Sequence, residues 1–269
     1  SWLFGTAHLS DPRVIDLPKP AARRLAGAGV VALGNTSVLD MNAARSAYGE
    51  SIRHMIYTDG RTLPAVIGAS NWEKLRAALT ARGLPAWSVM SWKPWMVTFG
   101  ALIYPPCELA RWIGGRDMLD ITIGKTAKKA GKPVLDLEST DDQFSAIDAM
   151  SEADQIAMLT AVLSLEPIST DMQETMVVAY EAGRIDLLWA HSIEQLARGG
   201  AAREGGAPGF VGSVMANAAF RRNLKMMDRA LPLVREGNAF LAVGALHLVG
   251  EKGLVRLFRD AGFTVTAVQ

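Results

Sequence analysis

The chain has 269 residues, 49% hydrophobic and 20% charged, which is ample for a packed core. Its net charge of +1 and scattered basic residues give no electrostatic case for a nucleic-acid partner. No apolar run reaches the roughly 18 residues of a membrane span, and a single cysteine, Cys107, excludes an internal disulfide and a cysteine-based zinc site.

The chain opens on an apolar strand candidate at 2–4, with no start methionine. A signal peptide or membrane anchor removed from in front of it is therefore an expectation. A helix with prolines in its first turn follows ("PKPAARRLAGA"), then a strand at 29–33 ("GVVAL"). Ser70–Glu73 reads as a capping box whose helix stops at Arg82–Gly83. Residues 133–137 ("PVLDL") read as a buried strand, followed by a second box at Thr140–Gln143. In 151–165, Ile156, Leu159, Val162 and Leu163 share one helix face at core spacing. A third box at Thr170–Gln173 starts a helix that ends at Gly183. The Gly- and Ala-rich stretch 197–210 is either a connection or a lid over a site. A long helix carries Pro232 as a kink or break, 239–243 ("AFLAV") is a buried strand, and a short helix ends at Gly262 before an alternating strand at 263–268 ("FTVTAV"). Lys125, Lys128 and Lys129, like Arg221 and Arg222, read as solvated helix faces. The pattern predicts an α/β fold: a small central sheet with a large helical portion. It forms a single domain, with a helical insertion over roughly 40–210.

"IGKTAKK" (123–129) contains Gly-Lys-Thr, but a phosphate loop needs a glycine where Leu119 stands, so nucleotide binding is rejected. No G-x-S-x-G elbow and no H-E-x-x-H helix occurs. What stands out is an echo. Gly5 and His8 follow the first strand at the spacing with which Gly244 and His247 follow the strand at 239–243. Glycine permits a sharp turn and close approach of a ligand, so Gly5 and Gly244 are candidate substrate-binding positions. A histidine three residues on sits past the carboxyl end of its strand, where open α/β sheets bind ligands. If the strands are neighbours, both imidazoles converge on one metal ion or one water. Taken singly, each histidine reads equally as a loop residue bonded to backbone.

These segments, together with "YTDGRTL" (57–63), "SWKPWM" (91–96), "LDITIGKTAKKAGKPVLDLES" (119–139), "RRNLKM" (221–226) and "FLAVGALHLVGEKGLVRLFRDAGFTV" (240–265), resemble the TraB/PrgY/GumN family in order and spacing. That family is related to the Tiki proteases. The resemblance covers nearly the whole chain. It implies an erythromycin-esterase/ChaN-like α/β fold with pseudo-duplicated strand–GxxH units. It also implies a metal-dependent hydrolase acting on peptides or related small substrates in the cell envelope, either periplasmic or membrane-anchored. The implied cofactor is a divalent ion (manganese, cobalt or zinc) held by His8 and His247. Arg222 would steady an oxyanion or a substrate carboxylate, and Asn223 would hold substrate or orient a histidine. Asp120 and Glu138 stand at the family's acidic positions as partners of these groups, or one of them as general base. Asp120 would also face the substrate. Trp92 and Trp95 read as core or groove wall.

One departure bears on the mechanism. The family's second strand carries a glutamate where this chain has Leu33, and an aspartate where it has Asn35. Asp40 and Glu50 are the substitutes in sequence. Without that acid, a second reading stands beside the hydrolase: a degenerate member that sequesters a peptide or other small ligand. A haem- or metal-binding module is a third.

Overall fold

The computed structural model describes residues 1–200 and 206–268. Four parallel strands form one sheet in the order β1-β4-β2-β3: β1 (Trp2–Thr6), β2 (Val30–Leu33), β3 (Val134–Asp136) and β4 (Ala239–Gly244). Between β1 and β2 lie α1 (Pro12–Ile15) and α2 (Lys19–Gly27). Between β2 and β3 lie α3 (Met41–Glu50), α4 (Ile52–Met55), α5 (Leu63–Ala81), α6 (Pro94–Val97), α7 (Pro106–Ile113) and α8 (Leu119–Lys129). Between β3 and β4 lie α9 (Thr140–Asp148), α10 (Glu152–Leu165), α11 (Ser169–Glu181), α12 (Ile185–Gly200), α13 (Gly206–Met215) and α14 (Arg221–Glu236). Helix α15 (Leu254–Asp260) follows β4.

The central strands β2 and β4 are apolar and buried on both faces, so the sheet is covered on both sides, whereas β3, expected as a buried strand, is an edge strand with Leu135 and Asp136 exposed. Val31, Leu33, Phe240 and Ala242 pack against α1, α2 and α8 through Val14, Leu25, Leu119 and Ile123. On the other face, Ala32, Leu241 and Val243 pack against α14 and α15 through Met226, Ala230, Leu254 and Phe258. Each fully buried Leu or Phe contributes about 1.5–3 kcal/mol. Away from the sheet, α5 and α10 share a separate helical core that includes Leu75, Leu79, Leu159 and Leu163. Trp95 is buried there in an adjoining cluster, in keeping with a core role.

Several local expectations shift. The helix expected from Ser70 belongs to a longer segment that breaks at Gly68 (φ 78°) and ends, as the sequence predicts, at Arg82 and Gly83. The α9 cap is Ser139 with Asp142, one residue before the predicted box. No side chain caps α11, whose first residue is Ser169. Pro232 lies inside α14 without ending it. The predicted strand at 263–268 does not pair with the sheet. Instead Gly262 (φ 90°) turns the chain across α15, where Phe263 stacks edge-on against Phe258 and Arg259 donates to the Val265 carbonyl. Of the predicted lid at 197–210, residues 201–205 lie outside the described residues, and the rest belongs to the end of α12 and the start of α13. Among the described residues no helix is long and apolar enough to cross a membrane.

Candidate active site

All four strands run the same way, so the segments leaving their carboxyl ends meet at one edge of the sheet. From β1 comes His8, from β4 His247, from β3 Glu138, and from β2 Gly34 and Asn35. Strands β1 and β4 are neighbours, but the echoed glycines are not in register: Gly5 pairs with Val243, and Thr6 with Gly244. A one-residue slip turns equivalent positions to opposite faces. A Cβ on Gly5 would press on Leu248 (2.8 Å) and Ala245 (3.1 Å), so that glycine admits the turn after β4. A Cβ on Gly244 would lie 2.9 Å from His8 Nε2 and 3.5 Å from His247 Cδ2. Both imidazoles therefore flank a single point above Gly244.

Each ring is fixed by its other nitrogen. Asp120, in the first turn of α8, accepts from Thr6 Oγ1 (2.5 Å) and from His8 Nδ1 (2.7 Å). A carboxylate only accepts, so Nδ1 of His8 carries a proton. The His8 side chain is 57% open to solvent. The Asp120 charge raises the His8 pKa, and burial opposes that without winning. Burial pushes Asp120 upward, yet the His8 charge and the bonds from His8 and Thr6 hold it below the usual carboxylate value.

His247 is the opposite case. It is buried, and its Nδ1 meets Asn223 Oδ1 at 2.6 Å. The Asn223 amide nitrogen donates to the carbonyls of Lys252 (2.8 Å) and His247 (3.3 Å), which settles which end of the amide is the oxygen. Nδ1 of His247 is therefore the donor, and Nε2 keeps its lone pair. Burial, then the charges of Arg222 and His8, hold its pKa well below the ordinary histidine value.

Arg222 and Glu138 are brought to the same edge but spent on each other. The pair is bidentate and buried, with Arg222 Nε donating to Glu138 Oε2 at 2.8 Å and Nη2 to Oε1, while Nη1 donates to the Ala218 carbonyl. Arg222 is thus no solvated surface charge, and the Glu138 carboxylate is taken up on both oxygens by the guanidinium. Asn35 bonds Thr140 and Ser37. Leu33 lies in the core, where it and Leu39 leave no room for a side chain at Gly124. Gly124 is itself inside α8, which confirms that no phosphate loop forms there. Of the sequence substitutes for the missing acid, Asp40 caps α3 and Glu50 accepts from Ser46; neither bonds a histidine. Thr6, the last residue of β1, completes the Asp120 site through its hydroxyl, and nothing in the sequence pattern singles it out.

A catalytic divalent ion ordinarily needs three protein ligands. Among the described residues no group of three His, Cys, Asp or Glu side chains is arranged to hold one. The two histidines offer a pair of Nε2 atoms, one of them on a ring held toward its protonated form, and both nearby carboxylates are engaged. The residues present do not complete the expected metal site.

No curated protein and no solved structure matches the chain. The TraB/PrgY/gumN family model matches residues 1–267, and the chain belongs to the TraB/PrgY/gumN family.

Proposed function

We propose that the chain is a hydrolase of peptides or related small acyl substrates in the cell envelope, with His247 as general base and His8 as general acid. The observation that carries this reading is the pair of unlike rings that meet beside Gly244: His247, with its proton on Nδ1, and His8, which Asp120 holds toward the imidazolium form. Two titratable groups pushed apart by their surroundings divide acid and base work between them. His247 Nε2 takes a proton from water as the water oxygen bonds to the acyl carbon. His8 Nε2–H gives its proton to the leaving nitrogen or oxygen as the carbon–heteroatom bond breaks. Proton return from His247 to His8 through solvent completes the cycle. Asp120 and Asn223 hold the two rings in these tautomers.

The test is digestion of a defined peptide mixture, read by mass spectrometry, with protein dialysed against chelator. The wild type is expected to cleave, and His247→Gln to lose about 10²–10⁴ in rate. Absence of cleavage by the wild type, with or without manganese, cobalt or zinc, sinks the reading. A second reading, ligand sequestration without turnover, is favoured by Leu33, whose apolar burial leaves the expected acid unreplaced. It predicts saturable peptide binding in the same preparation and no products.

A further inference from the structure

His8 lies in an irregular stretch between β1 and α1, so neither strand nor helix bonding fixes it. Besides Asp120 of α8, which bonds Thr6 and His8, α11 holds that stretch. Before the histidine, the Tyr180 hydroxyl donates to the Gly5 carbonyl at 2.8 Å. After it, Gln173 Nε2 donates at 2.9 Å to the fully buried Glu108, whose carboxylate also accepts from the Ser10 N–H and hydroxyl at 2.5 Å. Further on, Glu174 accepts from both terminal nitrogens of Arg13 at 2.7 Å. One helix thus grips the segment on both sides of the ring, and Tyr180 is its attachment nearest the β1 end of the turn.

We propose that Tyr180 is a positioning residue for His8: its hydroxyl holds the Gly5 peptide from which the His8 turn springs, and so sets His8 Nε2 over Gly244. Gly5 is the position where β1 closes on Ala245 and Leu248 of the turn that carries His247, so a shift of its peptide changes the spacing of the two rings. Burial raises the Tyr180 pKa, which keeps the phenol protonated and donating. The functional consequence rests on the acid–base reading above; the positioning itself does not.

Tyr180→Phe removes the hydroxyl and leaves the ring. The chain has four histidines, so each imidazole signal is assignable by nuclear magnetic resonance from single His→Gln variants. In Tyr180→Phe the His8 signal is expected to move while those of His54 and His191 stay in place. The thermal midpoint should fall by no more than about 4 °C, the effect of one lost hydrogen bond. Asp120→Asn, which removes the charge bonded to the ring, is the positive control. In the peptide assay kcat should drop about tenfold with KM unchanged, as for a displaced catalytic group. An unmoved His8 signal in Tyr180→Phe overturns the proposal. So does movement of all four signals with a collapse of the midpoint, which would mark a general structural role. The resonance measurement needs no turnover, so a wild type that cleaves nothing ends the hydrolase reading while the signals still decide this one.

Discussion

The histidine cleft and the junction of "YTDGRTL" with "SWKPWM" are both built from motif residues, yet they use their polar atoms differently. At the junction, Ile56 and Trp92 form an antiparallel bridge that brings Arg61 and Lys93 beside α9 and α10. Lys93 Nζ sits 2.8 Å from both oxygens of Asp148, and Arg61 and the Tyr57 hydroxyl share Glu152. Every charge there has an opposite charge, around a shallow polar depression of about 220 Å³. At the histidines, by contrast, each ring spends Nδ1 on a partner, and His8 Nε2 lies beside Gly244. A second, apolar concavity of about 720 Å³ lies between α11 and α12, away from both histidines. Neither its size nor that of the polar depression marks the chemistry. The difference teaches that motif residues whose charges are all matched by neighbouring helices brace a fold, whereas motif residues fixed at one end only are left able to act.

That contrast can be broken in order of expected effect. His247→Gln should cost about 10²–10⁴ in turnover with an unchanged thermal midpoint; a comparable loss of stability would make His247 a structural residue. Glu138→Ala leaves the Arg222 charge buried without its partner, and should cost about 3–5 kcal/mol in urea unfolding. Gly244→Ala forces the His8 ring aside and is expected to lower the rate by about 10² with little change in unfolding. Lys93→Met should do the reverse: about 1–2 kcal/mol of stability and no change in rate, since the Lys93–Asp148 pair is only partly exposed. The smallest effect is that of Asp142→Asn, about 1 kcal/mol at pH 7. Burial raises the Asp142 pKa, but Lys225, Ser139 and Arg229 outweigh it and hold the group well below its unfolded value. A depressed carboxylate stabilises above its unfolded pKa and loses that contribution as the pH falls through its folded pKa, so the gap between wild type and Asp142→Asn should begin to narrow near about pH 4 and go on narrowing below it.

The sheet was legible because β1, β2, β3 and β4 are short apolar runs bounded by Gly, Pro or a turn, and composition alone reports that. Residues 263–268 carry the same alternation, but pairing depends on a free sheet edge in reach, and sequence does not state strand order. The two histidines could be seen as a pair from their spacing. Their unlike environments could not, because these rest on the one-residue slip between β1 and β4 and on which amide atom of Asn223 faces His247. Asp120 and Glu138 looked alike as acidic motif positions. The fold separates them by giving one a histidine and the other an arginine. Tyr180 left no trace in the sequence, since a tyrosine in mid-helix reads as packing until its hydroxyl is seen at Gly5.

The slip of Thr6 against Gly244 has one more consequence. Two copies of a glycine-histidine turn in exact register would face each other as equals, with no preference for which gives a proton and which takes it. Displaced by one residue, the turns meet across different walls, one wet and carboxylate-backed, the other dry and amide-backed. The site therefore has a direction, and on the acid–base reading proposed above a substrate would have its acyl carbon on the dry side and its leaving group on the wet side, open to solvent for release.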